Sequence, residues 1–580
     1  TGAGTMILAP TGSYHNYNGT TTIKAGTLVL GANAPSGSAG ALGNATSAVL
    51  LGDTTGSSDA SLIINGAYTM ARVITVQSGN TGTITIGGTG ANSAVFSGNI
   101  TLNKSATLTA DAGGTVTFQT GAISGTGFGI TKVGDGTVVL SGTNTYTGNT
   151  TVNAGTLSIS GKIYSGLNNS GPIVTVNSGA VLSLSAWQWD GSLGTLFYDK
   201  TALVVNGGTL RYTGSTNAAD ANGNARGFTV GASGAVFEVT TSGATWTLFR
   251  DASSGYQAAF NGDVTLTGAG NGVMANYITG SGALLKTGAG TWTLSGVNTY
   301  GGGTTVSVGT LKVGSATALG ASSGAVSITS GAALDLNGQT MTNTNALTTN
   351  GTGISSTGAL TNTSATAGTY AGSVSLGSAT SIGSTAGAIT VSGAMSDASN
   401  YGLALIGNKA ITFSNTGNTL STIASGSSMG AITVVNDANL TIGSVTAGST
   451  YTGLNSTGII SVKTTRNLTI SQNITTTSTS ASASAPALLL AAGSSSAVGS
   501  VTYNIILSGS PTFTIGSGGI ADFYSGGMDE STGLNAYITA QSSKTFTYES
   551  TLSTQPSSAG YNVIYRGSPP IVYLTIVNGQ

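Results

Sequence analysis

The chain has 580 residues, of which 92 are glycine and only 6% are charged, and its 16 basic and 17 acidic residues give a net charge of −1. Such a thinly charged chain has no basic field that would attract nucleic acid or an anionic membrane, so we expect neither partner. The absence of cysteine excludes disulfides and thiolate-bound metals, and no apolar run approaches the roughly 20 residues that a membrane-spanning helix needs. Hydrophobic residues still reach 39% in short periodic runs, which favours an ordered chain.

One segment of the sequence occurs three times. It occupies residues 130–157 (ITKVGDGTVVLSGTNTYTGNTTVNAGTL), residues 284–311 and, without its first strand, residues 1–28. Each copy consists of short runs of alternating apolar and polar residues divided by Gly, Asn and Thr, which predicts strands and turns with no room for a helix. A unit of this size cannot bury its apolar face alone, so the copies must stack as coils of a solenoid.

The repeated pattern resembles the passenger-associated transport repeat of autotransporter passengers and related large bacterial surface proteins. The matching residues of the second copy are Lys132, Gly134, Gly136, Leu140, Asn144, Tyr146, Gly148, Thr150, Gly155 and Leu157. Those of the third copy are Lys286, Gly288, Gly290, Leu294, Asn298, Tyr300, Gly309 and Leu311. The first copy departs from the pattern at Pro10 and through three extra residues around Tyr14, His15 and Asn16. The resemblance implies an all-β fold, a right-handed parallel β-helix (β-solenoid) forming a single elongated rod, at the bacterial cell surface or outside the cell.

Stacking has consequences for composition. If each coil takes roughly 20 to 25 residues, the chain holds about 25 coils. Equivalent residues of successive coils lie above one another, so inward valines and isoleucines form columns and corner asparagines are expected to stack through their amides. Like charges in one column would meet at a single strand spacing, which destabilises a sheet. The scarcity of charge follows in part from this arrangement.

Three regions follow one another along the chain. Residues 1–340 are predicted to form coils of the repeat type, with an aromatic-rich insertion around residues 185–260. Residues 341–532 are a serine- and threonine-rich continuation of the β-helix, and residues 533–580 form a terminal cap or an assembly region.

The aromatic-rich insertion allows two interpretations. Its aromatic residues are Trp187, Trp189, Phe197, Tyr198, Trp246, Phe249, Tyr256 and Phe260. They either fill corners and cover a flank of the helix, which we favour, or form an exposed strip on which sugar rings stack. The neighbouring charged residues are typical of an excursion loop: Asp190, Asp199, Lys200, Arg226, Arg250 and Asp251.

The sequence contains few residues that are arranged as in known catalytic sites. The single histidine, His15, has no partners that would complete a catalytic triad, and we assign it no role. Polysaccharide hydrolases and lyases with this fold need clustered carboxylates. The candidate groups are Asp190/Asp199, Asp251/Asp263 and Asp522/Asp529/Glu530. None has the spacing of a known motif, so we predict no enzyme and no catalytic, cofactor or metal site, and a polysaccharide-degrading enzyme is the least favoured alternative.

The leading functional hypothesis is an extracellular structural protein whose subunits assemble head to tail into a surface filament, so that the partner is a second copy of the chain. It rests on the incomplete first repeat and on the strongly β-prone strands near the other end, which could complete a neighbour by strand addition. The predicted assembly residues are Thr1, Gly2, Tyr561, Val563, Ile564, Tyr565, Ile571, Val572, Tyr573, Leu574 and Ile576. The alternative is a cleaved, autotransporter-like adhesin passenger that binds host or matrix glycans.

Overall fold

A computed structural model describes residues 2–11, 14–119, 121–164, 173–187, 191–193, 202–215, 228–248, 257–275, 277–552 and 558–569. The chain divides into two compact units, Thr1–Gly302 and Gly303–Gln580. Both consist of short strands joined by turns, and they contain about 18 stacked parallel coils. The fold is a β-solenoid, as the sequence predicts.

The strands of the first unit follow in chain order. They are β1 (Thr5–Leu8), β2 (Thr22–Ile23), β3 (Gly26–Leu30), β4 (Val49–Leu51), β5 (Ala60–Asn65), β6 (Thr69–Met70), β7 (Ile74–Val76), β8 (Ile84–Thr89), β9 (Ser93–Phe96), β10 (Ile100–Leu102), β11 (Ala106–Ala110), β12 (Thr115–Phe118), β13 (Ile123–Ser124), β14 (Ile130–Val133), β15 (Thr137–Leu140), β16 (Thr150–Val152), β17 (Thr156–Ile159), β18 (Val174–Asn177), β19 (Val181–Leu184), β20 (Leu203–Asn206), β21 (Thr209–Tyr212), β22 (Thr229–Val230), β23 (Ala235–Val239), β24 (Thr245–Leu248), β25 (Gln257–Phe260), β26 (Val264–Gly268), β27 (Asn271–Met274), β28 (Tyr277–Gly280), β29 (Leu284–Lys286) and β30 (Thr291–Leu294).

Successive coils of the first unit contribute these strands to parallel sheets that run along the stack. The largest sheet has 12 strands in the order β1-β3-β5-β8-β11-β14-β16-β18-β20-β22-β25-β28, and a second has five in the order β2-β4-β7-β10-β13. On a third face, β6-β9-β12-β15-β17-β19-β21-β23-β26-β29 pair in turn. Strands β24, β27 and β30 pair beside them.

The second unit repeats this plan with more excursions. Its strands are β31 (Thr304–Val306), β32 (Gly309–Val313), β33 (Val326–Ile328), β34 (Ala332–Asp335), β35 (Leu347–Gly351), β36 (Leu360–Thr361), β37 (Gly368–Tyr370), β38 (Val374–Ser384), β39 (Ile389–Val391), β40 (Met395–Ser396), β41 (Leu403–Gly407), β42 (Ile411–Phe413), β43 (Thr422–Ser425), β44 (Ile432–Asn436), β45 (Leu440–Ile442), β46 (Ser444–Ala447), β47 (Ser449–Thr452), β48 (Leu454–Ser456), β49 (Ile460–Thr464), β50 (Leu468–Ile470), β51 (Ile474–Thr476), β52 (Ala481–Ser482), β53 (Ala485–Pro486), β54 (Leu488–Ala491), β55 (Ile505–Leu507), β56 (Phe513–Thr514), β57 (Ile520–Ser525), β58 (Lys544–Thr547) and β59 (Gly560–Tyr565).

A nine-stranded sheet of the second unit has the order β37-β39-β42-β44-β49-β54-β57-β59-β58, and β48-β51-β56 form a smaller one. A further face links β38-β41-β43-β45-β50-β55. Two pairs depart from parallel stacking, because β46–β47 and β52–β53 are antiparallel hairpins. Within the described residues the helices are a 3₁₀ turn at Ile354–Ser356 and α1 (Leu534–Thr539).

The predicted number of coils, about 25, is too high. Thr131 lies beside Thr151, only 20 residues later, which is the predicted coil length. Ala521, however, lies beside Tyr561, 40 residues later. The coil itself has the expected size, but loops and hairpins that leave the stack consume residues without adding coils.

Stacking in register produces columns of equivalent residues. One inward column of the 12-stranded sheet runs through Leu28, Leu62, Ile86, Leu108, Lys132, Val152, Val176, Val205 and Val230. The residues that immediately precede these inward positions form an outward column. It includes Thr85, Thr107, Thr131, Thr151 and Thr175, all partly exposed. Hydroxyl-bearing residues therefore occupy outward positions where stacked like charges would repel one another.

Charges that do occupy neighbouring register positions have opposite signs. Arg211 lies beside Glu238, with 2.7 Å between the guanidinium Nε and the carboxylate Oε2. Lys312 lies beside Asp335, with 3.2 Å between Nζ and Oδ2. In both pairs the neighbouring coil compensates the charge.

The lysine that recurs in the second and third copies of the repeat occupies a core position. Lys132 stands between Leu108 and Val152 in the inward column and is fully buried. Its ammonium Nζ donates to the main-chain oxygens of Val133 at 2.8 Å, Gly134 at 2.6 Å and Ala154 at 3.0 Å. The alkyl stem thus fills the core while the head satisfies carbonyl groups of a corner.

Burial also shifts the titration of both repeat lysines. Lys286, in the third copy, is fully buried like Lys132, and its Nζ donates to the carbonyl of Gly288. Loss of solvent lowers the pKa of each ammonium to about 8, although the nearby Asp135 acts in the opposite direction on Lys132. Both groups therefore remain charged at neutral pH and keep their donors.

Asparagine residues of the repeat bind the backbone at other corners. The Oδ1 atoms of Asn144 and Asn298 accept hydrogen bonds from the main-chain nitrogens of Ile123 and Ile278, each at 3.0 Å. The amide nitrogen of Asn144 also donates to main-chain carbonyls, those of Gly142 and Lys162, so the expected stacking of amide on amide is wrong for Asn144. A direct amide pair does occur where Asn177 Nδ2 donates to Asn153 Oδ1 at 2.7 Å.

The backbone conformation explains the glycine at the start of the last strand of the repeat. Gly155 and Gly309 have φ values of +58° and +73°, in the left-handed region that side chains disfavour. A Cβ atom on Gly155 would also lie 2.4 Å from the carbonyl oxygen of Gly136. Any other residue here would force neighbouring coils apart.

We predict that Lys132→Met lowers the free energy of unfolding by about 1–3 kcal/mol, because three partly buried carbonyls lose their donor. Guanidinium unfolding followed by tryptophan fluorescence measures this, since Trp187, Trp246 and Trp292 lie in the same unit. The matched control is Lys24→Met. The side chain of Lys24 is 49% exposed and its Nζ lies 3.5 Å from Asp53, so its loss should change little. Equal midpoints for the two variants would contradict this role of Lys132.

Candidate functional site

The described part of the aromatic cluster lies inside the solenoid. Trp187, Trp246 and Phe260 are 1%, 0% and 0% exposed. The Trp246 ring packs against Trp187 with ring centroids 5.1 Å apart and against Tyr212 at 5.8 Å. These residues fill the core, and an exposed aromatic strip at them is wrong. Outside the described residues lie Trp189, Phe197, Tyr198, Phe249 and Tyr256, and also the charged residues Asp190, Asp199, Lys200, Arg226, Arg250 and Asp251.

Four of the predicted assembly residues lie in β59. Tyr561, Val563, Ile564 and Tyr565 are hydrogen-bonded within a strand that has β57 on one side and β58 on the other. Because both edges of β59 are paired, strand addition would need a different edge, such as that of β58. Gly2 is exposed, and the other predicted assembly residues lie outside the described part: Thr1, Ile571, Val572, Tyr573, Leu574 and Ile576.

An aromatic group packs beside β57 and β59 in the second unit. The Phe513 ring lies 5.0 Å from the Phe523 ring and 4.9 Å from the Tyr537 ring, measured between centroids. The hydroxyl of Tyr561 donates to the carbonyl of Phe513 at 2.9 Å. Tyr537 belongs to α1, so the short helix anchors on this group. Tyr561, which the sequence offered as an assembly contact, is therefore used in intramolecular packing.

The described members of the candidate carboxylate groups lie in different surroundings. Asp522 is 1% exposed on β57, whereas Asp529 and Glu530 are exposed. Asp263, whose predicted partner Asp251 lies outside the described residues, accepts a hydrogen bond from the main-chain nitrogen of Ala283 at 2.9 Å. In the described ranges, no three His, Cys, Asp or Glu side chains gather as metal ligands would.

Asp522 lines a small cavity of about 60 Å³ beneath the β52–β53 hairpin, together with Lys463, Ser484 and Tyr524. Its Oδ1 accepts a hydrogen bond from Asn562 Nδ2 at 2.9 Å, while Oδ2 has no hydrogen-bond partner. Burial raises the pKa of Asp522 to about 6 against the opposing effect of the Asn562 hydrogen bond. The cavity is too small for a sugar ring, so Asp522 influences stability more than binding.

A second excursion lies on the outer face of the second unit. Residues 444–452, here called the outer hairpin, contain β46 and β47 and turn at Gly448, where φ is +70°. A main-chain hydrogen bond of 2.8 Å from Gly453 to Gly443 closes its base. Val445 and Ala447 pack on Ala404 and Ala424 of the underlying strands. These small residues let the hairpin lie directly on the sheet.

The outer hairpin and the loop after β43 border an open groove of about 470 Å³, here called the hairpin groove. Its lining includes Ile406, Gly426, Ser427, Tyr451, Thr452 and Asn455. Sequence analysis missed both features because it assigned these residues to further coils. The signal was present, since two short runs divided by Gly448 are typical of a hairpin.

Comparison with known proteins agrees with the repeat. The family described as Passenger-associated-transport-repeat matches residues 1–30, 130–159 and 284–313. The chain carries three passenger-associated transport repeats. The resemblance to autotransporter passengers, first drawn from Lys132, Asn144 and their equivalents, is therefore confirmed.

A curated relative supports the same resemblance. The chain is 30% identical, over an alignment of 412 residues, to the adhesin BmaC autotransporter of Brucella suis biovar 1 (strain 1330). The alignment takes in 58% of this chain but only 10% of the length of that adhesin. No solved structure matches the chain. Among the described residues, no helix is both long and apolar enough to cross a membrane.

We predict that Asp522→Asn stabilises the second unit at neutral pH. The folded state holds the Asp522 proton more tightly than the unfolded chain, so the stabilisation is complete below about pH 3.8 and is lost as the pH rises through about 6. Between these pH values the free energy of unfolding of the wild-type protein should fall by about 2 kcal/mol, and that of the variant should not. Chemical unfolding at pH 4 and pH 7, followed by near-ultraviolet circular dichroism of the tyrosines, measures the difference. The control Asp529→Asn, at an exposed position, should leave the pH profile unchanged, and a wild-type profile for Asp522→Asn would overturn the assignment.

Proposed function

We propose that the chain acts as an adhesin-like passenger, located at the bacterial surface or outside the cell, that binds host or matrix glycans. The observation that carries the proposal is the alignment to an autotransporter adhesin across more than half of this chain. The three transport repeats agree with it. Because the aligned part is a tenth of that adhesin, the proposal concerns the properties of this chain.

The architecture suits display rather than catalysis. The coils bury their apolar columns and present partly exposed threonines outward, so the regular faces offer little chemistry of their own. Excursions such as the outer hairpin supply irregular shape on a rigid support, and binding residues are commonly carried by such segments. The similarity to an adhesin favours a non-enzymatic role.

The proposal predicts that beads coated with the purified chain attach to host-cell layers or extracellular matrix. Free native chain should compete and reduce attachment several-fold, and enzymatic removal of surface glycans should have the same effect. Heat-unfolded chain at equal mass is the control, because it keeps the composition but loses the excursions. Attachment that is equal for native and unfolded chain, or insensitive to both treatments, would contradict adhesion by a folded surface.

Head-to-tail assembly with a second copy of the chain is a second proposal. Among the described residues, β1 pairs only with β3, and its Met6 and Ile7 side chains are 61% and 62% exposed. A strand edge of this kind accepts an added strand, whether that strand comes from the same chain or from another copy. The outer edge of β58 is the corresponding edge in the nine-stranded sheet.

Assembly through β1 predicts that wild-type chain sediments as oligomers at micromolar concentration and that Ile7→Lys makes it monomeric. Val297→Lys, which also places a charge at an exposed valine (51%), should leave the oligomers intact. Sedimentation velocity distinguishes the three proteins. A wild-type chain that stays monomeric at all concentrations would exclude this proposal without affecting adhesion.

A further inference from the structure

The hairpin groove has the chemistry of a binding site that the coils lack. Gly426 forms part of its floor, and the main-chain nitrogen of Gly426 donates to the carbonyl of Leu405 at 2.8 Å. Tyr451 forms one wall, where its ring packs against the cluster of Ala404, Ala424 and Val445. Anchoring on that cluster holds the ring in place before any ligand arrives, which lowers the entropic cost of binding.

The backbone of the groove is fixed, while the polar side-chain groups of Asn455, Ser427 and Tyr451 are free. The main-chain nitrogen of Asn455 donates to Ser425 Oγ at 2.7 Å, and its carbonyl accepts from the nitrogen of Met429 at 3.1 Å. The side-chain amide of Asn455 and the hydroxyls of Ser427 and Tyr451 make no hydrogen bond to any described residue. Asn455 and Ser427 are exposed and Tyr451 is partly exposed. Donors and acceptors are therefore available on a rigid frame.

The composition of the lining indicates the class of ligand. None of the lining residues is charged, so the groove has no cationic side chain that would pair with a phosphate, a sulfate or a carboxylate. Hydroxyl and amide groups around one tyrosine match a ligand that has many hydroxyls and one apolar ring face. The volume of about 470 Å³ lies within the usual range for small-molecule sites.

We propose that the hairpin groove binds a neutral oligosaccharide, with a sugar ring against Tyr451 and its hydroxyls hydrogen-bonded to Asn455 and Ser427. This inference rests on the proposed adhesin-like function and assigns it a site and a ligand class. The underlying strands position the floor, and the outer hairpin supplies the aromatic wall.

Two variants test the site by different physical means. Tyr451→Ala removes the aromatic wall and should weaken binding at least tenfold. Gly426→Gln fills the groove. A Cβ atom on Gly426 would come no closer than 3.8 Å to Leu405 O and 3.9 Å to Tyr451 Cε1, which is ordinary contact. The substitution therefore leaves the fold intact, and its longer side chain should abolish binding.

Each variant has a matched control outside the groove. Tyr401→Ala removes another exposed tyrosine (44%) of the same unit. Gly19→Gln adds the same side chain at a glycine with no atom within 4 Å of the added Cβ. Both controls should bind as the wild type does. Thermal unfolding of all five proteins checks that the folds are equal.

The measurement is binding of the full chain to a panel of neutral oligosaccharides of glucose, galactose, mannose and N-acetylglucosamine, with sialylated and sulfated oligosaccharides for comparison. Titration calorimetry then gives the affinity of the best ligand. We expect binding to neutral members only, lost in Tyr451→Ala and Gly426→Gln and kept in both controls. A preference for the anionic members would overturn the assigned ligand class.

Two other outcomes separate the site from the function. If the wild type binds neutral oligosaccharides and the groove variants bind equally well, the groove is not the site, while the adhesin-like function stands. If coated beads adhere to cells but the chain binds no oligosaccharide, the inference is overturned and adhesion uses another ligand. If the chain neither adheres nor binds, both proposals fail.

Discussion

Stacking of parallel coils in register is the constraint on which the rest of this structure depends. Each residue lies beside its equivalent in the next coil, about 4.8 Å away. A side chain must therefore be compatible both with its own coil and with the equivalent side chains of the neighbouring coils. Inward positions can be apolar without conflict, but corners expose carbonyl and amide groups that cannot all pair within the backbone. Side chains of the repeat supply the missing hydrogen bonds. Lys132, Asn144 and their counterparts Lys286 and Asn298 bind main-chain atoms at the corners.

The same constraint limits what the regular faces can do. Outward columns favour threonine over charged residues, and the two charged register pairs, Arg211–Glu238 and Lys312–Asp335, each combine opposite signs. A surface built this way is uniform, so specific recognition has to come from segments that leave the stack. The outer hairpin is such a segment, and it can lie flat because Ala404 and Ala424 beneath it are small.

The sequence predicted well whatever depends on local pattern. Alternating runs and glycine-bounded turns identified the strands, and the motif around Lys132 identified the repeat and hence the solenoid. Features that depend on distant parts of the chain were not accessible. Insertion of β59 between β57 and β58 reverses chain order within the sheet, and no local signal marks it. The outer hairpin was read as coil because its strands are as short as those of the stack. The burial of Asp522 could not be predicted, because the β52–β53 hairpin that covers it comes from a distant part of the sequence.

Cross-linking of neighbouring coils tests the stacking register most directly, because the chain has no cysteine and any disulfide must come from introduced pairs. Thr131 and Thr151 are register neighbours, whereas Thr131 and Thr175 are two coils apart. A disulfide needs Cα atoms within about 7 Å, which one strand spacing satisfies and two do not. Under mild oxidation, Thr131→Cys/Thr151→Cys should lose both free thiols as an intramolecular disulfide, and Thr131→Cys/Thr175→Cys should keep them. The opposite result, with the second pair cross-linked and the first pair free, would contradict the register and the account built on it.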